Sequence, residues 1–217
     1  FPQNTFIEHE GYPFKFSGKG RFGLDLIKSS NKLKVRHKCE LIETERMVKE
    51  HRIDIVVSDH RYGLRSEIVP SVFVTHQVQL PVKWFEIGAQ LLHKSLLKKF
   101  DCVWVLDYRD HRLAGNLSKN NASFTVDYLG AVSRFEAYDK FEGEKSNSVV
   151  IVSGPSVYGQ QFIDGLTPDD ETSKLYRVIA KKDINIPLRF ARLEGNWLKK
   201  DKEILKAKRI ISRTGYS

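Results

Sequence analysis

Apolar residues recur near helical spacing along the first long stretch of the chain, at Phe22, Leu26, Leu33, Leu41 and Val48, set among Lys, Arg and Glu. No proline and no internal glycine interrupts the stretch from Gly23 to about Arg52, so it predicts a long amphipathic helix. The period then changes. Ile53-Asp54-Ile55-Val56-Val57 is a β-branched run closed by Ser58-Asp59, and a second apolar run spans Ser71 to Thr75. Lys83 to Lys98 carries Trp84, Ile87, Leu91 and Leu92 at helical spacing, and Cys102 to Leu106 and Phe124 to Tyr128 read as further strands. A polar stretch from Glu136 to Asn147 reads as a connection. Beyond it the pattern restarts with a strand at Ser148 to Val152, a tight turn at Ser153-Gly154-Pro155-Ser156 and a helix at Val157 to Leu166. A strand at Pro187 to Ala191, a helix around Lys199 to Lys208 and a strand at Arg209 to Ser212 follow.

Short β-branched strands alternating with helices predict an α/β fold with parallel sheets and crossovers. The expected division is residues 1–136 as one Rossmann-like domain, 137–147 as a linker and 148–217 as the first half of a second. Ligands of open parallel sheets bind at the carboxyl ends of the strands. Three segments take that position in the first domain: Ser58 to Gly63, Thr75-His76-Gln77, and Asp107 onward.

Composition narrows the class. At 217 residues with 41% hydrophobic and 11% aromatic content, the chain can bury a core, and no apolar run reaches the roughly 18–20 residues of a membrane span. A soluble protein is expected. Cys102 lies in an apolar run and reads as a buried, reduced thiol, which favours the cytoplasm over a disulfide-forming compartment. The formal charge of +9 favours anionic partners. Its Lys and Arg residues are scattered over helices instead of forming a stripe with interleaved aromatics, which argues against a specific nucleic-acid reader. Lys15, Lys19, Arg21 and the Lys94/Lys98/Lys99 group beside Trp84 and Phe85 suit an anionic membrane surface. The sequons at Asn116 and Asn121 read as chance.

Several motifs carry candidate chemistry. Gly18-Lys19-Gly20-Arg21-Phe22-Gly23 matches G-x-G-x-x-G, but Pro13 and Lys15 precede it in place of a buried strand, so it reads as a basic loop. Asp59-His60-Arg61-Tyr62 brings an acid, an imidazole, a fixed cation and a phenol to one strand end. His76 ends another strand, where an imidazole is held rigidly yet open. No cysteine pair has metal-ligand spacing, and neither H-E-x-x-H nor a G-x-S-x-G elbow occurs, so no metal or cofactor is called for. The closing Ser212-Arg213-Thr214-Gly215-Tyr216-Ser217 follows a strand and reads as a phosphate-facing turn ahead of a helix. Because the chain begins at Phe1 without Met and stops inside this motif, a longer parent protein is expected.

Taken in order, Asp59 to Leu64, Pro70 to Gln77, Gly130-Ala131-Val132-Ser133-Arg134-Phe135, Ser153-Gly154-Pro155 and Ile211 to Ser217 resemble a family of predicted bacterial glycosyltransferases found in Bacteroidetes-type genomes. That family is distantly similar to the N-acetylglucosaminyltransferase that makes lipid II. The resemblance implies two Rossmann domains (GT-B), with the acceptor on the first and a UDP-sugar on the second. The acceptor would be a cell-envelope glycan or a lipid-linked sugar. The enzyme would be metal-independent and inverting, and would work at the inner face of the plasma membrane. Carried over residue by residue, it implies His76 and Asp59 as catalytic and Arg61, Tyr62 and Gln77 on the acceptor side. It implies Ser153, Gly154, Pro155, Ser156, Arg192, Ser212, Arg213, Thr214, Gly215, Tyr216 and Ser217 at the donor. The family's opening strand with its candidate base, and its ribose-binding acid, would lie beyond the two ends. A sugar-nucleotide epimerase-like enzyme and a non-catalytic nucleotide- or polyanion-binding module are the competing readings.

Overall fold

A computed structural model describes residues 4–9, 22–80, 87–120, 123–167 and 176–213. The glycine-rich loop at 18–21, Lys15, Lys19, Trp84, Phe85, Asn121 and Thr214 to Ser217 lie outside the described residues. The chain divides into two compact units, Phe1–Val132 and Ser133–Ser217. No helix among the described residues is long and apolar enough to cross a membrane.

In the first unit, helix α1 spans Phe22–His51. Its end has a physical cause: Arg52 turns into the left-handed region at φ 51°, and the Ile53 N–H returns to the Val48 carbonyl at 3.1 Å. This six-to-one bond is the Schellman closure, and it keeps Ile53 out of the following strand. Strand β1 therefore occupies Val56–Asp59 instead of the expected Ile53 to Val57. The buried stripe of α1 also departs from the apolar one read in the sequence, for it runs Arg36, Glu40, Thr44 and Val48 at intervals of four.

Strands β2 (Ser71–Thr75), β3 (Cys102–Val105) and β4 (Val126–Tyr128) extend the sheet in the order β1-β2-β3-β4, every pair parallel. Helix α2 (Ile87–Leu97) crosses between β2 and β3. Phe73, Val78, Leu97, Phe100, Val103 and Val105 form the core. Phe73 is fully buried, a burial that contributes about 1.5–3 kcal/mol. Cys102 is half-buried, not buried as expected. Its Sγ lies 3.2 Å from Asp127 Oδ2, and desolvation with that carboxylate pushes the thiol up to about 11.

The second unit holds β5 (Ser146–Ile151), α3 (Ser156–Gly165), β6 (Tyr176–Ile179), β7 (Ala191–Arg192), α4 (Trp197–Lys206) and β8 (Ala207–Ser212). Its sheet is parallel in the order β7-β6-β5-β8. Adjacent residues of β5 face opposite ways. Val150 joins Ile163 of α3 in one apolar cluster and Val149 joins Ile204 of α4 in another, so a helix covers each face of the sheet. Two such parallel α/β units are compatible with a Rossmann-like fold. The strand expected at Pro187 to Ala191 is instead a turn, closed by Phe190 N–H on the Pro187 carbonyl at 2.9 Å, and only Ala191 and Arg192 pair with β6. Residues 133–147 belong to this unit. Arg134 grips the buried Asp201 of α4 through Nε and Nη2 at 2.8–3.1 Å, and the Tyr138 hydroxyl donates to the same carboxylate at 2.9 Å.

Gly63 gives a direct test of how tightly α1 meets the loop after β1. A Cβ there would lie 2.6 Å from Glu40 Cβ and 2.7 Å from the His37 carbonyl oxygen, against backbone that cannot yield. Overpacking of this kind costs about 1–3 kcal/mol, so Gly63→Ala is expected to lower the melting temperature of the first unit by several degrees. Thermal denaturation followed by circular dichroism checks it; an unchanged midpoint would refute the close approach.

Candidate functional sites

Parallel pairing aligns the ends of β1 and β2, with Asp59 opposite Val74, so that His60 and Thr75 reach the same level. His60 takes φ 56°, a left-handed turn that His tolerates better than most residues. Its Nε2 stands 3.1 Å from Thr75 Oγ1 and 3.4 Å from His76 Nδ1, with the two imidazole rings 5.0 Å apart. Thr75 Oγ1 also accepts the Gln77 N–H at 2.8 Å, which locks the turn that carries His76. Burial and the neighbouring His60 hold His76 down to about 4, and burial likewise lowers His60. Both are therefore neutral hydrogen-bonding groups at pH 7. Asp59 is exposed at the end of β1, and its charge acts on both imidazoles.

The remaining residues expected on the acceptor side are committed to the scaffold. Arg61 donates from Nε to Glu40 Oε1 at 2.9 Å and forms an ion pair with that fully buried carboxylate through Nη2. Tyr62 stacks on Phe73 at 5.0 Å and donates its hydroxyl to His93 Nδ1 at 2.7 Å. His93 Nε2 lies 3.1 Å from the Gln77 carbonyl, which can only accept, so Nε2 carries the proton. Gln77 thus contributes its backbone to the bracing of His76. His93 lies in the sequence between Leu92 and Lys94, and no motif marks it. Burial holds it, too, down to about 4.

After β3, the buried Asp107 carboxylate gathers the loop by accepting from Tyr108, Leu113 and Ala114 N–H groups at 2.7–3.0 Å and from Ser118 Oγ at 2.6 Å. Burial alone would raise its pKa, but these donors outweigh burial and hold it below the ordinary carboxylate range.

In the second unit, β5 and β8 are neighbours although two strands, β6 and β7, and two helices, α3 and α4, lie between them in sequence. Counting strands from β5, the order is 3-2-1-4, and the reversal falls between β5 and β8. Open α/β sheets bind ligands at such a reversal. Ser153-Gly154-Pro155-Ser156 leaves β5 there, with Gly154 at φ 83°, and opens α3 with no side-chain cap. Ser212 and Arg213 leave β8 beside it. Arg213 Nη2 lies 3.1 Å from where a Cβ on Gly154 would stand, and its guanidinium sits 5.2 Å from the Tyr158 ring centre. Gly159, also missed in the sequence, lets α3 approach the sheet, since a Cβ there would meet Val152 Cγ1 at 2.8 Å. Arg192 stands apart from this group. Its guanidinium donates to the Ala180, Lys181 and Ile184 carbonyls and so braces a turn. Among the described residues, no group of three or more His, Cys, Asp or Glu side chains is placed to hold a metal.

No protein-family model, no curated protein and no solved structure matches the chain.

The depressed histidines set a pH dependence. Unfolded imidazoles titrate near 6.5 and take up protons that folded His76 and His93 refuse until about 4. Their contribution to stability is therefore complete above pH 6.5 and is lost as pH falls toward 4. Melting temperatures measured from pH 8 to pH 5 are expected to be level above 6.5 and to fall below it, with a shallower fall in His93→Gln. A midpoint that rises on acidification would contradict the assignment.

Proposed function

We propose that the protein is a glycosyltransferase of the two-Rossmann-domain (GT-B) type that moves an N-acetylhexosamine or hexose from a UDP-sugar to a cell-envelope glycan or lipid-linked acceptor. The observation that carries this reading is the strand reversal between β5 and β8, with an uncapped helix start and Arg213 gathered at its carboxyl end. A diphosphate suits that place because the first N–H groups of α3 and the positive end of its dipole favour an anion, and Arg213 adds a fixed charge. The exposed Ser153 and the half-buried Ser156 at the turn supply hydroxyl donors. Thr214 to Ser217, implied at the donor by the family resemblance, lie outside the described residues.

Transfer with inversion needs a group at the acceptor hydroxyl, and His76 with Asp59 at the end of the first sheet fits that role. The low pKa of His76 keeps its imidazole neutral at pH 7, able to receive a proton or orient a hydroxyl. Thr75 and His60 fix its position, while Arg61 and Tyr62 anchor the surrounding loop. A lipid-linked acceptor would place the enzyme at the cytoplasmic face of an anionic membrane, where the exposed Lys98 and Lys99 each contribute about 1 kcal/mol of attraction.

Calorimetry with UDP and UDP-sugars, with and without a chelator, tests the donor site. Binding is expected to survive the chelator and to weaken about tenfold in Arg213→Ala, the loss of roughly one charged hydrogen bond. Equal binding of RNA or free phosphate would instead favour a polyanion-binding module. On a UDP-sugar that is turned over, His76→Ala is expected to reduce kcat by about 10²–10⁴-fold. Turnover preserved within a few-fold would return His76 to the scaffold.

A further inference from the structure

His111 is the third imidazole at the carboxyl edge of the first sheet, in the loop that follows β3. It adopts φ 60°, with its N–H on the Tyr108 carbonyl and its carbonyl receiving the Gly115 N–H. The direction of every hydrogen bond on its ring is fixed. Ser118 is fully buried, and its one hydroxyl proton has two acceptors that cannot donate, Asp107 Oδ2 at 2.6 Å and the Gly115 carbonyl at 3.0 Å. The Ser118 oxygen must then accept from His111 Nδ1, 3.0 Å away. Nδ1 therefore carries the proton of the neutral ring, and Nε2 is left with a lone pair. Among the described residues Nε2 has no hydrogen-bond partner, while the edge of the ring rests on Tyr128 at 5.4 Å between centres.

The loop is tied to the segment that carries His76. The Leu117 carbonyl accepts the Val78 and Gln79 N–H groups at 2.7 and 2.8 Å, and Leu106 N–H reaches the Thr75 carbonyl at 2.9 Å. The Tyr128 hydroxyl holds the Ser118 carbonyl at 2.9 Å. A buried carboxylate with four donors, a buried serine and these four bonds thus hold in place one half-buried ring whose Nε2 can only accept. The scaffold does not require the ring for its own closure, since Asp107 and Ser118 hold the loop without it.

We infer that His111 is a ligand-binding group of the first unit, its Nε2 presented by the Asp107–Ser118 relay to accept a hydrogen bond from a hydroxyl of a sugar. The choice of a sugar as ligand rests on the glycosyl-transfer reading; the presentation of Nε2 does not.

Long-range proton–nitrogen NMR on the full chain with labelled histidine reads the tautomer directly. His111 is expected as the Nδ1–H form, shifting toward the commoner Nε2–H form in Ser118→Ala. An Nε2–H tautomer in the wild-type chain overturns the inference. Methyl β-N-acetylglucosaminide and methyl β-glucoside serve as probes, and one of them is expected to move the His111 Nε2 resonance. Two substitutions separate binding from scaffolding. His111→Asn keeps a donor at the Nδ1 position and tolerates a positive φ, so it preserves the Ser118 contact while deleting Nε2. It is expected to keep the melting temperature and lose about tenfold in glycoside affinity, as for one hydrogen bond. His111→Gln restores a polar atom near Nε2 and is expected to recover part of the affinity. If neither glycoside perturbs His111, or if His111→Asn binds as the wild type does, His111 is a structural residue. UDP-sugar calorimetry reports on the second unit, so a silent donor site with a responsive His111 would retire the transferase reading and leave this one intact.

Discussion

Parallel strand pairing is the constraint on which the arrangement depends. In an antiparallel sheet, alternate strand ends point to opposite edges; here every described pair runs the same way, so all the carboxyl ends in a unit share one edge. His60, Thr75, His76 and the Asp107 loop come together in the first unit for that reason. Gly154 and Arg213 come together in the second for the same reason. No attraction among these side chains is needed to assemble them, because the ladders and the apolar residues between the helices and sheets have already done so.

Within that frame, buried charge sets the path of the loops. Glu40 is fully buried and meets Arg61, Asp201 is buried beneath Arg134, and Asp107 is buried under four donors. Removing one partner of such a group strands a charge in a place water cannot reach, which costs several kcal/mol, whereas the intact pair adds little net stability. These pairs act chiefly by specifying one loop conformation among many. His60, His76 and His93 differ in kind: burial lowers their pKa values and keeps them neutral, so they link polar atoms without introducing charge.

How much of this was legible in the sequence depended on whether a signal was local. The runs at Ser71 to Thr75 and Cys102 to Val105 announce themselves by β-branched and apolar residues, and the long helix by its spacing. Strand β6 gives no such signal, because Tyr176-Arg177-Val178-Ile179 is only four residues long and holds an arginine, which the structure places 2.5 Å from Glu203. The fate of Arg61 was illegible for another reason. A guanidinium beside a strand end suits a ligand and a buried carboxylate equally well, and its partner lies 21 residues earlier on a different element. Strand order was likewise beyond reach: the succession of elements can be read along the chain, but the place of β8 beside β5 follows from which faces are covered.

The neighbourhood of β5 and β8 also bears on how the second unit comes into being. Ser148 and Arg209, side by side in the ladder, are 61 residues apart in sequence. Closing so long a loop is slow and entropically unfavourable until β6, β7 and both helices are in place. The turn at Gly154 leaves a ribosome early in the synthesis of this unit, yet it lacks Arg213 until β8 has emerged and paired with β5. Recognition of an anion at that turn would therefore follow the pairing of β8, and a ligand held there would report that β8 had joined β5.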